Sequence, residues 1–285
     1  MSAQPTPPLV SPSWVAKRLD GSGTFVLDIR SAESGGRAAF EDGQIPGAVH
    51  SDYAEGWRVA RGGAGGLLPD PDDLGRLLGS LGLTPAHHVV IVSAGLAPAD
   101  FSAAARVYWT LKAAGHGRVS ILDGGYEAWR RERLPVQPGA PAPTPAEPYP
   151  VATAGRLRAG IADIEKGGAT LLDGRSQAQF EGREKSPQAA RAGRLPGAAH
   201  LDHALAFVPG TGRLKAPEEL EQLYAPLPPG RVVSYCNTGH LASTNWFVLS
   251  EVLGRPDVGL YDGSMSEWTQ DPNRPVATGP EDPSA

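Results

Sequence analysis

The stretch Phe25-Val-Leu-Asp-Ile-Arg30 returns 145 residues later as Thr170-Leu-Leu-Asp-Gly-Arg175. Each stretch begins with a short apolar run, which is typical of a buried strand, and ends in the pattern Asp-x-Arg. Self-similarity over such a distance predicts two related copies of one domain.

Three further landmarks follow each stretch in the same order. They are Ile45-Pro-Gly-Ala-Val-His50 and Leu195-Pro-Gly-Ala-Ala-His200; the apolar runs His88-Val-Val-Ile-Val-Ser93 and Arg231-Val-Val-Ser-Tyr-Cys236; and Leu122-Asp-Gly-Gly125 before Trp129 with Tyr261-Asp-Gly-Ser264 before Trp268. The offset is 150 residues for the glycines of the Pro-Gly-Ala motifs and 139 for the tryptophans. The shared order and nearly constant spacing indicate a duplicated domain.

A proline-rich segment separates the two copies. Seven prolines lie between Pro135 and Pro150, which favours an extended connector and opposes helix or sheet formation. We predict a first domain over residues 1–137, a connector over 138–150 and a second domain over 151–285.

Short apolar runs alternate with helical periodicity within each copy. Strands are predicted at 89–92, 119–122, 171–172, 232–235 and 258–261, and helices at 102–114 and 242–253. This alternation predicts an α/β fold of two tandem domains, each a parallel sheet with helices on both faces.

The composition excludes several classes of protein. With 40% hydrophobic and 20% charged residues, the chain is typical of a folded globular protein, and its net charge of −5 gives no sign of nucleic-acid binding. No run approaches the roughly 18 apolar residues of a membrane helix. The polar segment Met1–Ser13 does not resemble a signal peptide, so we expect a cytoplasmic protein without membrane partners. We also expect a monomer.

Cys236 is the only cysteine, which excludes an internal disulfide and a cysteine-built metal site. It follows a predicted strand and precedes a predicted helix, so the loop amides and the helix N-terminus favour its thiolate, which is the nucleophilic form. Gly239 allows the loop to curl so that its amides converge, and such a cradle would also hold a persulfide anion. Ser93 has the equivalent position in the first copy. A hydroxyl cannot carry a persulfide, so the first domain should be catalytically silent.

The ordered set of motifs resembles the rhodanese family in its tandem-domain form, over roughly residues 10–278. The segment from Ala104 to Gly125 is similar to the inactive domain of these enzymes. The resemblance implies that Cys236 takes sulfur from a small anionic donor such as thiosulfate and passes it, as a persulfide, to cyanide or a thiol. It implies no metal or organic cofactor.

The resemblance also implies a set of site residues. The expected substrate-binding residues are Asn237, Thr238, Gly239, His240 and Leu241 of the loop, together with Arg175, Arg183 and Lys185. As structural support, Asp173 is expected to anchor the Asp-x-Arg segment, and Ser243 is expected to cap the helix that follows the loop.

Two departures from the family concern the sulfur donor. Gln179 stands where tandem rhodaneses usually have an arginine, and Asn237 and Thr238 follow the cysteine where thiosulfate-preferring animal enzymes have basic residues. The missing arginine favours thiosulfate over 3-mercaptopyruvate, and mercaptopyruvate sulfurtransfer is the first alternative. A non-enzymatic persulfide carrier is the second. A cysteine phosphatase would need an arginine at Ala242 and is not favoured.

Overall fold

The computed structural model describes residues 6–19, 21, 23–140, 142–152 and 155–280. The first half of the chain contains, in order, β1 (Leu9–Val10), α1 (Pro12–Ala16), β2 (Thr24–Asp28), α2 (Gly36–Asp42), β3 (Val49–His50), β4 (Val59–Arg61), β5 (Ala64–Leu67), α3 (Pro71–Ser80), β6 (His88–Val92), α4 (Pro98–Ala113), β7 (Val119–Leu122) and α5 (Gly125–Arg131). The second half contains α6 (Ile161–Lys166), β8 (Thr170–Asp173), α7 (Gln177–Phe180), β9 (Ala199–His200), α8 (Pro217–Tyr224), β10 (Val232–Tyr235), α9 (Ala242–Phe247), β11 (Val258–Leu260) and α10 (Ser264–Trp268). Short 3₁₀ turns lie at Ala32–Ser34, Gly155–Leu157 and His203–Ala206.

The chain divides into two compact units that are not continuous in sequence. Unit 1 comprises Met1–Trp57, Pro69–Ala154 and Val208–Leu214, and unit 2 comprises Arg58–Leu68, Gly155–Phe207 and Lys215–Ala285. Each unit therefore takes one short segment from the other half of the chain. The boundaries expected from the sequence stay predictions, and Pro141 of the expected connector lies outside the described residues.

Unit 1 is organised around a five-stranded sheet in the order β1-β7-β6-β2-β3, in which every neighbouring pair is parallel. Parallel strands are covered on both faces and so are apolar throughout, as β6 shows: all of Val89–Val92 is fully buried. The core of this unit includes Phe40 and also Trp129, the tryptophan of the closing motif in the first copy.

Unit 2 repeats the arrangement with four parallel strands in the order β11-β10-β8-β9. The registers correspond, because Asp28 pairs with Val92 in unit 1 and Asp173 pairs with Tyr235 in unit 2. The antiparallel hairpin β4–β5 also belongs to this unit. The α/β fold with parallel sheets that the sequence predicts is confirmed.

Two helices differ from their predicted bounds. Helix α4 begins four residues early, because a proline is tolerated in the first turn and Asp100 accepts hydrogen bonds from the amides that precede the helix. Helix α9 is followed from Val248 to Val252 by a π-helix, which widens the last turns. No helix of the described residues is long and apolar enough to cross a membrane.

Candidate active site

Cys236 is the first residue after strand β10, and only 1% of it is exposed. Its carbonyl oxygen accepts a hydrogen bond from the Met265 amide at 3.2 Å, and its own amide donates to the Ser264 hydroxyl at 3.0 Å. The single cysteine is thus placed at the carboxyl edge of the parallel sheet, where ligands of such sheets gather.

The Ser264 side chain anchors the loop that begins at Cys236. Its hydroxyl oxygen accepts from the amides of Cys236 and Gly239, the latter at 3.1 Å, and donates to the Tyr261 carbonyl oxygen at 2.7 Å. The residue is fully buried and has a φ of 49°, a left-handed conformation that is unfavourable for a residue with a side chain. Sequence reasoning missed Ser264, although the difference between Gly125 and Ser264 in the two closing motifs was a usable signal.

The predicted loop residues follow in a tight turn. Gly239 has a φ of 68°, in the left-handed region that favours glycine, and its carbonyl oxygen accepts from the Ser243 hydroxyl at 2.6 Å. Thr238 is buried, whereas His240 and Leu241 are half-buried next to the start of α9. The Ser243 hydroxyl therefore links the first turn of α9 to the loop and does not cap the helix, whose N-cap is Leu241. Its expected role as structural support stays a prediction.

Asp173 and Arg175 form a buried ion pair beside the loop. The Arg175 Nη2 atom lies 2.6 Å from an Asp173 carboxylate oxygen and 2.9 Å from the Gly193 carbonyl oxygen. Burial acts to lower the pKa of Arg175, but the Asp173 carboxylate outweighs it and the pKa is raised, with a further contribution from Cys236. Arg175 is consequently a permanent positive charge beside the loop that carries Cys236.

Asn237, the residue after the cysteine, is held by two side chains. Its side-chain nitrogen Nδ2 donates a hydrogen bond to the Gln179 side-chain oxygen at 2.8 Å, and its side-chain oxygen lies 3.5 Å from Arg175 Nη1. Gln179, the position that departs from the family pattern, thus binds the loop residue itself.

The two remaining basic candidates are engaged elsewhere. The Arg183 side chain is exposed and lies 2.6 Å from Glu181, and Lys185 donates to the Ala189 carbonyl oxygen at 2.7 Å. Their expected part in substrate binding stays a prediction. Within the residues that the structure describes, no cluster of three or more His, Cys, Asp or Glu side chains could hold a metal ion.

Ser93 has the same backbone environment in unit 1. Its carbonyl oxygen accepts from the Tyr126 amide at 2.8 Å, as that of Cys236 accepts from Met265. The residues that follow also correspond. The carbonyl oxygen of Ala94 accepts a hydrogen bond from the Glu127 amide, and that of Asn237 accepts one from the Ser266 amide. Ser93 is therefore the structural counterpart of Cys236.

Comparison with known proteins identifies the family. The rhodanese-like domain matches two segments of the chain, residues 11–132 and 158–271. The chain belongs to the rhodanese family. The resemblance predicted from the repeated motifs is confirmed, and each half of the chain carries one rhodanese-like segment.

Relatives of this chain are named for both of the sulfur donors considered above. A probable 3-mercaptopyruvate sulfurtransferase of Pseudomonas aeruginosa is 36% identical over 95% of this chain and 98% of its own length. A thiosulfate sulfurtransferase of Corynebacterium glutamicum is 31% identical over 95% and 90% of the two chains. The sulfur carrier protein TtuD of Thermus thermophilus is 30% identical over 96% and 97%.

Solved structures share the fold. The anaerobic ergothioneine biosynthesis enzyme of Chlorobium limicola has a TM-score of 0.84 at 24% identity, covering 96% of this chain and 71% of its own. The crystal structure of YnjE has a TM-score of 0.83 at 25% identity, covering 97% and 70%.

Proposed function

We propose that the protein is a sulfurtransferase that carries sulfane sulfur as a persulfide on Cys236. The observation that carries the proposal is the position of the only cysteine, at the carboxyl end of β10, in a loop braced by Ser264, within a tandem rhodanese. Because Ser93 takes the equivalent position in unit 1, only unit 2 would carry sulfur.

The reaction has two displacement steps. The Cys236 thiolate attacks the outer sulfur of thiosulfate; the sulfur–sulfur bond of the donor breaks, and sulfite leaves with the bonding electron pair. The outer sulfur remains on the protein as Cys–S–S⁻. Cyanide or a thiolate then attacks this sulfur, forms thiocyanate or a new persulfide, and returns the cysteine as a thiolate.

The charges at the site support binding of an anionic intermediate. Arg175 is a buried cation that reaches Asn237, the residue after Cys236, and its geometry is fixed by Asp173. A charge fixed before the reaction stabilises a developing anion without reorganisation at the moment of transfer. Arg175 would thus favour an anionic persulfide on Cys236.

We propose thiosulfate as the donor in preference to 3-mercaptopyruvate. A carboxylate-bearing donor would require a cation that can form a paired hydrogen bond with it. Gln179 is neutral and bound to Asn237, and the Arg183 side chain is occupied by Glu181. Thiosulfate has no carboxylate and would not need this paired hydrogen bond.

The test is steady-state sulfur transfer to cyanide with the two donors in parallel, for the wild type, Cys236→Ser and Ser93→Ala. The proposal expects a thiosulfate-dependent rate that Ser93→Ala retains and Cys236→Ser loses. A larger kcat/KM with 3-mercaptopyruvate would overturn the donor assignment alone, and an undiminished rate in Cys236→Ser would overturn the mechanism.

A persulfide carrier is the second candidate. The similarity to a sulfur carrier protein over nearly the whole chain favours it, as do the neutral side chains of Gln179 and Asn237 beside the cysteine. Turnover that saturates with millimolar thiosulfate would support the enzyme. Persulfide uptake only from a partner protein would support the carrier.

A further inference from the structure

The hairpin segment Arg58–Leu68 comes from the first half of the chain but packs within unit 2. It consists of β4 and β5 joined by Gly62 and Gly63. Strand β5 contacts α10, the helix whose first residue, Ser264, braces the Cys236 loop. The catalytic unit therefore includes a piece of the half that carries the silent domain.

Gly66 of this segment lies against the Cys236 loop. It has a φ of 82°, and its backbone passes so close to Thr238 that a Cβ atom at Gly66 would overlap the Thr238 carbonyl oxygen and lie 2.7 Å from the Thr238 Cβ atom. Real Cβ atoms do not approach other atoms so closely, so any residue with a side chain would displace the loop. Thr238 is the second residue after the nucleophile.

Ser266 joins the hairpin to the same loop. Its amide donates to the Asn237 carbonyl oxygen at 2.9 Å, and its hydroxyl lies 2.9 Å from the Gly65 carbonyl oxygen and 3.2 Å from the Gly65 amide nitrogen. The Leu68 amide donates to the Asp262 carboxylate at 2.6 Å and fixes the end of the hairpin. The hairpin is thus held to the loop by hydrogen bonds as well as by close packing.

The reverse exchange occurs in unit 1 and uses the corresponding part of the second half. A Cβ atom at Gly212, in the segment Val208–Leu214, would lie 2.9 Å from the carbonyl oxygen of Gly95. Gly95 is the second residue after Ser93, just as Thr238 is the second after Cys236. In both units a glycine from the other half of the chain therefore packs on the same point of the loop.

We propose that the hairpin segment Arg58–Leu68 is a positioning element of the sulfur-transfer site, and that Gly66 and Ser266 set the position of the Cys236 loop through Thr238 and Asn237. The proposal rests on the proposed function, because it concerns the geometry that transfer requires. The silent domain would then be retained in part because the first half of the chain supplies this hairpin.

The test compares three glycine variants of the full-length protein. Gly66→Ala adds a methyl group against Thr238. Gly254→Ala adds one in unit 2 but outside the hairpin, at a φ of 63° with nothing within 4 Å, and Gly212→Ala adds one against the loop after Ser93. Gly254→Ala thus controls for backbone strain and Gly212→Ala for steric crowding. The readouts are kcat and KM for thiosulfate, the rate at which iodoacetamide alkylates Cys236, and the melting temperature.

We expect Gly66→Ala to change the sulfur-transfer kcat and the alkylation rate by about tenfold or more, because small misplacements of a reacting group have large effects on rate. Both controls should stay within about twofold of the wild type in transfer and alkylation, although their melting temperatures fall. Equal rates for Gly66→Ala and Gly254→Ala would overturn the proposal.

Ser266→Ala decides the matter if Gly66→Ala does not fold, because it removes the link to Gly65 without adding bulk. A fall in kcat and a changed alkylation rate support the proposal, and unchanged values of both overturn it. The alkylation rate needs no sulfur donor. A wild type without transfer activity would therefore contradict the proposed function, while the alkylation series would still test the role of the hairpin.

Discussion

The loop after β6 and the loop after β10 share one backbone framework, yet only one of them carries a cysteine. Ser93 and Cys236 each accept a hydrogen bond from the residue that follows the Gly125 or Ser264 position. Such closely matched loops allow the remaining differences to be assigned to individual side chains.

The two loops differ in the side chain that accepts hydrogen bonds from their backbone amides. In unit 1 the amides of Leu96 and Ala97 donate to the Asp100 carboxylate, at 2.8 and 3.0 Å. The residue equivalent to Leu96 in unit 2 is Gly239, whose amide donates to the neutral Ser264 hydroxyl. The amides of the loop after β6 therefore face a negative charge of their own chain. We propose that this charge, together with the absence of a cysteine, keeps unit 1 catalytically silent.

Replacing the nucleophile should have the largest effect. Cys236→Ser is expected to abolish sulfur transfer, because a hydroxyl cannot form a persulfide, while the melting temperature stays within a few degrees of the wild type. Ser93→Ala is the matched control in the silent loop and should retain full activity. Rates of sulfur transfer to cyanide, together with thermal unfolding, check both expectations.

Replacing Ser264 should have the next largest effect. Ser264→Ala leaves the amides of Cys236 and Gly239 without their acceptor, and we expect the transfer rate to fall by about tenfold to a hundredfold. Ser264→Gly, which imitates Gly125, relieves the left-handed strain. It should therefore be about 1 kcal/mol more stable than Ser264→Ala without recovering the activity. Equal activity of Ser264→Gly and the wild type would contradict the assigned role.

Transplanting the nucleophile tests the role of Asp100. In a Cys236→Ser background, Ser93→Cys should not accumulate a persulfide, because the Asp100 carboxylate occupies the loop amides and repels a second anion. Adding Asp100→Ser, which introduces the residue found at the equivalent position 243 of unit 2, should allow loading that mass spectrometry can detect. Loading of Ser93→Cys at the wild-type rate with Asp100 intact would refute this explanation of the silent loop.

The smallest expected effect is a loss of stability in acid that arises from histidines of unit 1. Burial, aided by the charge of Arg118, lowers the pKa of His88 in unit 1 from 6.5 to about 4. The unfolded state then binds a proton below pH 6.5 that the folded state does not bind until about pH 4, so stability falls as the pH drops through this window. Burial also lowers the pKa values of His87 and His116. His88→Gln should weaken the pH dependence of the melting temperature, and an unchanged dependence would contradict the assignment.

Much of the fold could be predicted because its signals are local and duplicated. Apolar runs such as Val89–Val92 mark buried strands, and their recurrence before Ser93 and Cys236 indicates two equivalent sheets. The same recurrence placed the cysteine at a strand end. Asp173 and Arg175 are candidates because they match the Asp-x-Arg pattern of the family that the chain resembles, and the structure places them beside the loop.

The rest depends on contacts between residues far apart in the chain. Nothing in the glycine-rich segment around Gly66 indicates that it packs beside Thr238, because packing partners across some 170 positions leave no local periodicity. Gln179 is a similar case: its neutral side chain was visible in the sequence, but its hydrogen bond to Asn237 was not. Ser264 and Asp100 could have been found by comparing the two halves of the chain position by position.

The most direct test of the account is the intact mass of the protein after incubation with thiosulfate and removal of the excess donor. We predict that the wild type gains the mass of one sulfur atom, that cyanide removes it, and that Ser93→Ala behaves in the same way. Cys236→Ser should gain nothing. A cyanide-sensitive sulfur on Cys236→Ser, or none on the wild type with any sulfane donor, would contradict the claim that this protein carries sulfur on Cys236.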